Sequence, residues 1–146
     1  MSFKVYRYET KKTKEVPYNC LLNVIKDNSV PSLLCDVHMD SPDHQSWSND
    51  GLTFAINNGG YRSACNSIKE LQDWFRGFNN RLLEIGFVLV EYSVTEKIDG
   101  YSKRQCIFHI DNVMGSKIVN SAEIKFTTEE IKAEEEKENY YYNLEV

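Results

Sequence analysis

Hydrophobic and polar positions follow a helical spacing most clearly between residues 67 and 85. Apolar side chains recur there at every third or fourth position, at 68, 71, 74, 75, 78, 82 and 85. Such spacing lines one face of a helix. Ser67 and Glu70 fit a capping box at the start and Gly86 suits the end, whereas Gly77 weakens the middle. We therefore predict one main amphipathic helix over 67–85.

Strand patterns lie on either side of this helix. Residues 3–9 mix apolar and charged positions as a strand does, and 87–94 form a nearly continuous apolar run, typical of a strand covered on both faces. Asp99-Gly100 is a hairpin signal, and 104–110 reads as the returning strand. One or two further strands follow, with a turn near Gly115. The pattern predicts an α+β fold, with a mixed or antiparallel sheet on which the main helix packs.

Charge is distributed unevenly along the 146 residues, whose formal net charge is −5. Residues 127–146 contain seven glutamates and two lysines, whereas 1–126 contain 15 acidic and 15 basic residues. Thr127 and Glu130 fit a second capping box before a run of alanine, glutamate and lysine. We predict a single α+β domain over 1–126 and an acidic C-terminal helical arm over 127–146.

This distribution constrains the partners. A neutral body lacks the clustered basic surface that nucleic-acid binding requires, so we expect no direct nucleic-acid binding. An acidic arm suits a protein partner with a basic groove, and we expect Glu134, Glu135 and Glu136 to contribute to such binding. Tyrosines suit interfaces. Tyr140, Tyr141 and Tyr142 are therefore expected to take part in partner binding or in a homo-oligomer.

The sequence gives two indications of compartment. No segment is long and apolar enough to span a membrane, and the N-terminus has no apolar stretch typical of a secretory signal. The cysteines, at positions 20, 35, 65 and 106, have wide and irregular spacings, so we expect reduced and mostly buried thiols. We predict a cytoplasmic protein that does not bind membranes.

A polar loop between residues 33 and 51 carries one group of candidate site residues. His38, Asp40, Asp43 and His44 lie close in sequence, and His and Asp are residue types that bind divalent metals or transfer protons. Loop composition alone produces similar groups. We therefore predict no metal and no cofactor, and keep the four residues and Trp47 as candidate contacts.

Two arginines and a helix cap form a second candidate site. Arg7 lies between Tyr6 and Tyr8, and an arginine can bind a phosphate or carboxylate through two hydrogen bonds. Arg62 precedes the cap at Ser67, where a helix N-terminus favours an anion. Together the three would form an anion-binding corner. The alternative is that the arginine stacks on tyrosine and that the serine only caps its helix.

Glu91 interrupts an apolar strand and is the remaining ionisable candidate. Buried without a partner, it would have a raised pKa and could act as an acid or base. Alternatively it points outward at a strand edge or, as we favour, pairs with Lys103 or Arg104 across the predicted hairpin. No P-loop, GxSxG, HExxH or GxGxxG motif accompanies it.

Several motifs resemble a family of small phage and prophage proteins. They are VYRYE at the start, VPY at 16–18, SIKELQDWF, GFVLVEYSV and the glutamine of RQCIF. In that family a segment S-x-E-Q-L-x-x-W-F precedes G-F-x-V-x-x-Y-x-V, and the chain differs by having Lys69-Glu70. The resemblance covers most of 3–110 and implies no particular activity.

The chain is also similar, more weakly, to ADP-ribosyltransferase-like folds. That similarity would place Arg7 on the first strand, Ser63 on a middle strand and Glu91 late in the fold; a late Glu-x-Glu or Gln-x-Glu pair is absent.

These observations lead to two functional hypotheses. The first is a phage protein that binds a host or defence factor, or the nucleotide signal of that factor, and inhibits or modulates it. The alternative is a nucleotide-handling enzyme that uses Arg7 and Glu91 as catalytic residues, which requires both side chains to point into one cleft.

Overall fold

The α+β class predicted from the sequence is confirmed. The computed structural model describes residues 2–11, 14, 16–17, 34–35, 38, 41, 44–120, 132–133 and 136. Along these residues the strands and α-helices are, in order, β1 (Phe3–Thr10), β2 (Tyr61–Ala64), α1 (Ile68–Trp74), α2 (Asn79–Ile85), β3 (Phe87–Val94), β4 (Ile98–Asp99), β5 (Cys106–His109) and β6 (Val113–Ile118). Short 3-10 helices lie at Thr53–Ala55 and Ile110–Asn112.

The strands form two three-stranded sheets, in the orders β1-β3-β6 and β2-β5-β4. The pairs β3 with β6, β2 with β5, and β4 with β5 are antiparallel. An isolated antiparallel bridge joins Tyr6 and Cys65, whose main chains exchange two hydrogen bonds of 2.8 Å. The predicted returning strand therefore exists but pairs with β2 and β4, not with β3. The chain leaves β3 at Thr95, whose amide binds the Asn112 carbonyl and holds that end to the start of β6.

By its internal contacts the chain divides into two compact units. The first comprises Met1–Arg7, Met39–Trp74 and Val90–Ile118. Strand β5 supplies both of its apolar clusters, because alternate side chains of a strand point to opposite faces. Cys106 and Phe108 pack with Val5, Ala64 and Val94, whereas Ile107 packs with Leu52 and Ala55.

The second unit comprises Tyr8–His38, Phe75–Leu89 and Val119–Val146. The Tyr8 hydroxyl donates to Asn79 Oδ1 at 2.7 Å, and its ring lies edge-on to Phe75 with centroids 5.3 Å apart. The predicted partition into 1–126 and 127–146 depends on the acidic tail. That tail and its predicted helix lie outside the described residues, apart from 132, 133 and 136, so both stay predictions.

The single main helix predicted over 67–85 is wrong, because the segment forms two helices. α1 ends at Trp74 and α2 begins at Asn79. Between them Gly77 has a φ of 88°, a left-handed conformation that a helix cannot continue through. The ends match the prediction better: Ser67 Oγ accepts the Glu70 amide at 3.1 Å, and Gly86 has a φ of 120°. The Glu70 carboxylate takes the amide of Asn66, one residue before the cap.

The effect of Gly77→Ala on the free energy of unfolding distinguishes one continuous helix from two helices, because its sign differs between them. In a continuous helix, Gly77→Ala would stabilise the protein by about 1 kcal/mol. In the observed left-handed conformation it should lower the free energy of unfolding by about 1 kcal/mol instead. Urea unfolding followed by circular dichroism measures the difference. Gly59→Ala is the matched control, because a Cβ at Gly59 meets nothing within 4 Å. A stabilised Gly77→Ala protein would contradict the break.

Candidate functional site

The two arginines of the predicted anion-binding corner each donate to the main chain. Arg7 is only 3% exposed, and its Nη1 donates to the Ser63 carbonyl oxygen at 3.4 Å. Arg62 Nη1 donates to the carbonyl oxygens of Gly59 and Tyr61 at 2.6 and 2.9 Å. Since Ser67 caps α1, each group has a structural role of its own. Anion binding at this corner stays a prediction.

Glu91 has three partners on neighbouring strands. It accepts the Tyr6 hydroxyl at 3.0 Å and forms ion pairs with Lys4 at 3.5 Å and Lys117 at 4.0 Å. Partial burial raises the pKa of Tyr6, and its hydrogen bond to the carboxylate raises it further. Glu91 is therefore paired, with partners other than the predicted Lys103 and Arg104.

Arg7 and Glu91 are not brought into one cleft. Consecutive side chains of a strand point to opposite faces, and Tyr6 is on the face of β1 that meets Glu91. Arg7 must then point to the other face, where it reaches Ser63. The enzymatic hypothesis gains no support from this arrangement.

The polar loop residues lie in separate surroundings. His38 is buried in the second unit, with its ring 6.0 Å from that of Phe75 and 5.9 Å from that of Phe78. In the first unit, His44 Nε2 lies 2.6 Å from the Trp74 carbonyl oxygen, and Nδ1 lies 2.9 Å from Ser41 Oγ.

Two more of the loop candidates, Asp40 and Asp43, lie outside the described residues, and Trp47 packs partly buried against the Leu52 cluster. Within the described part of the chain, no three His, Cys, Asp or Glu side chains are grouped to hold a metal ion.

Asp50, which we did not single out from the sequence, is the centre of a buried polar network. It is 1% exposed and accepts the amide and the hydroxyl of Ser102 at 2.6 and 2.9 Å. It also accepts Gln105 Nε2 at 3.0 Å, which in addition reaches the Gln45 carbonyl at 2.6 Å. A Cβ at Gly100 would overlap the Asp50 carboxylate. Asp50 thus fastens the loop before residue 51 to the turn between β4 and β5.

A row of three rings, which we call the ring row, joins the 3-10 helix at Thr53–Ala55 to β2 and β5. Phe54 lies edge-on to Tyr61 with centroids 5.7 Å apart, and Tyr61 lies edge-on to His109 at 5.0 Å. The amide of Asp111 donates to His109 Nδ1 at 3.1 Å, which orients that ring. A Cβ at Gly60 would overlap the His109 ring, so glycine is required for the contact.

Two exposed aliphatic residues lie close to members of the ring row along the chain. Phe54 itself is 55% exposed, and Ile56 and Ile110 are 49% and 48% exposed. Ile56 is the residue that ends the 3-10 helix carrying Phe54, and the Ile110 amide donates to the Gly60 carbonyl at 2.8 Å, which attaches Ile110 to the strand that carries Tyr61. We call these five residues the apolar surface. Its signal in the sequence was weak, because the ring row joins three separate segments.

The two buried thiols of the described residues are unsuited to nucleophilic chemistry. Cys65 and Cys106 are buried free cysteines, and Cys35 is half-buried. Burial raises the pKa of Cys65 strongly and that of Cys106 to about 12, so both remain protonated at neutral pH. These three cysteines are free, and Cys20 lies outside the described residues.

Comparison with known proteins identifies the family of the chain. Among the helices of the described residues, none has the length and apolar character of a membrane span. No curated protein and no solved structure matches the chain. The family model described as "Bacteriophage T4 Y00F protein" matches residues 1–122, which is most of the chain. The chain therefore belongs to this family of phage proteins.

Proposed function

We propose that this phage protein acts in the host cytoplasm by binding a host or defence protein, which it inhibits or modulates. The apolar surface around the ring row is the observation that carries the proposal. Contiguous exposed apolar side chains are typical of protein interaction sites, whereas scattered single ones are not. Here the rings fix one another, so little side-chain entropy is lost when a partner binds.

The composition of this surface favours a protein partner over a nucleotide signal. A nucleotide needs cationic donors for its phosphates beside the rings that stack on its base. The nearest arginine in sequence, Arg62, donates to two main-chain carbonyls, and the exposed residues that lie close to the ring row along the chain are Ile56 and Ile110. An aromatic centre with an aliphatic border is the composition of a protein interface core.

The acidic tail supplies the second part of the proposal. Its seven glutamates against two lysines would attract a partner with a basic groove. Charge of this kind mainly accelerates association and weakens with salt, while buried apolar contacts slow dissociation. We therefore propose that the apolar surface provides most of the affinity for the partner and that residues 127–146 accelerate association with it.

Capture from a lysate of phage-infected bacteria tests the apolar surface. Proteins retained by the full-length chain are quantified by mass spectrometry beside those retained by Phe54→Ser/Ile110→Ser. The variant should retain at least about tenfold less of the specific partner than the full-length chain does, because central apolar residues dominate binding energy. Ile98→Ser is the control: it removes an exposed isoleucine of β4 outside the apolar surface and should retain the partner.

Two outcomes would contradict the proposal. One is equal loss by both variants, and the other is a partner retained at full strength by Phe54→Ser/Ile110→Ser. Deletion of residues 127–146 tests the role of the tail. We expect the truncated protein to associate more slowly with the captured partner, at a rate that depends less on salt concentration. Unchanged association kinetics would remove the tail from the proposal.

A further inference from the structure

Strand β6 is an exposed edge of the β1-β3-β6 sheet. In that order it has one neighbour, β3, among the residues that the structure describes. Five of its six residues are exposed, with Met114 at 57% and Ile118 at 50%. Natural proteins normally shorten, cover or heavily charge such an edge, because its main-chain groups can pair with another strand. β6 has one lysine and no proline, and its register against β3 shifts near Val113.

The hydrogen bonds to β3 show which main-chain groups of β6 are available. The amide of Val119 donates to the Leu89 carbonyl at 2.9 Å, so that residue faces β3. Main-chain groups alternate in direction along an antiparallel strand. Those of Ser116 and Ile118 therefore point away from β3, toward the open edge.

The side chains of this edge form a symmetric pattern about Ser116. Met114 lies two residues before it and Ile118 two residues after it, and these are the two exposed large apolar residues of the strand. A Cβ at Gly115 would meet no described atom within 4 Å, so the face of the strand is open at this position.

The geometry points to a homodimer in which the β6 strands of two copies pair antiparallel about Ser116. The outward main-chain groups of the two Ser116 residues bind each other, and each Met114 lies opposite Ile118 of the second copy. Apolar pairs opposite each other stabilise a sheet. A two-fold axis through the paired Ser116 residues gives both copies of β6 the same contacts, as a closed dimer requires.

Charge favours this register. The register centred on Ser116 places each Lys117 opposite Gly115 of the second copy. Pairing centred one residue later would place the two lysines opposite each other, which like charges disfavour. Lys117 also lies 4.0 Å from Glu91 of its own chain. A paired edge buries less than the roughly 1,200–2,000 Å² of stable interfaces, so we expect a reversible dimer that forms at micromolar or higher concentration.

Charge-swapped variants test the dimer in the full-length protein. Sedimentation over a concentration series should show wild-type protein approaching twice the 17.0 kDa of one chain. Met114→Lys/Ile118→Lys and Met114→Glu/Ile118→Glu should each weaken self-association by roughly tenfold or more, because like charges then lie opposite each other. An equimolar mixture of the two should recover the dimer, which a misfolded variant cannot do.

Ile98→Lys/Asn57→Lys, which adds the same charge elsewhere on the first unit, is the control and should dimerise as wild type does. Wild-type protein that stays monomeric would overturn the inference, as would variants that still dimerise or a mixture that does not recover. A dimer lost only on deletion of 127–146 would place the interface at the tyrosines of the tail. A foreign protein captured at β6 in place of the second copy would also overturn it.

Discussion

Phe108→Ala is expected to lower the free energy of unfolding by about 4 kcal/mol, the typical cost of removing a buried phenylalanine ring. Phe108 is 2% exposed and packs in the cluster that contains Val5 and Val94. Its ring also lies 5.1 Å from that of Tyr92. The cluster also contains Ala64 of β2, so its members come from strands of both sheets and cannot close the cavity without moving a sheet.

Denaturant unfolding with near-ultraviolet circular dichroism checks this value. Phe54→Ala is the matched control, because it removes the same ring from a side chain that is 55% exposed. It should change stability by less than about 1 kcal/mol and reduce partner capture instead. Equal destabilisation by the two variants would contradict the assignment of Phe108 to the core and Phe54 to the surface.

Asp50→Ala is expected to lower the free energy of unfolding by about 3 kcal/mol. The change removes the acceptor of three hydrogen bonds, two from Ser102 and one from the buried side chain of Gln105, and an unsatisfied buried donor loses its desolvation energy. The loop before residue 51 would also lose its fastening to the β4–β5 turn. Asp50→Asn should cost less, about 1–2 kcal/mol, because the amide oxygen can still accept one bond.

Thermal and urea unfolding of the three proteins checks this order. The control is Asp111→Ala, whose side chain is 83% exposed and should change stability by about 0.5 kcal/mol or less. If Asp50→Ala unfolds like the control, the buried network does not contribute as the distances imply.

Patterns that depend on near neighbours could be predicted from the sequence. Strand β3 begins and ends at the predicted residues, and β1 extends the predicted strand by one residue. The cap at Ser67 could be predicted because the serine and Glu70, whose amide donates to the serine hydroxyl, are three residues apart. In each case the governing interaction lies within a few positions of the residue that encodes it.

Features that depend on distant residues could not be predicted. One glycine costs a helix only about 1 kcal/mol, so the periodicity around Gly77 gave no reason to divide the helix. Nothing near Asp50 distinguishes it from the other aspartates of its loop, because its donors lie 52 and 55 residues away. The ring row joins residues 54, 61 and 109 in the same way.

Photo-crosslinking from position 54 tests the central claim, partner binding at the apolar surface, most directly. A benzoylphenylalanine replaces Phe54 in full-length protein expressed during phage infection, and a second protein carries it at Ile98. We predict one dominant adduct with a host or defence protein from position 54 and little or none from position 98. Equal adducts from both positions, or none from position 54 while the partner is still captured, would contradict the account.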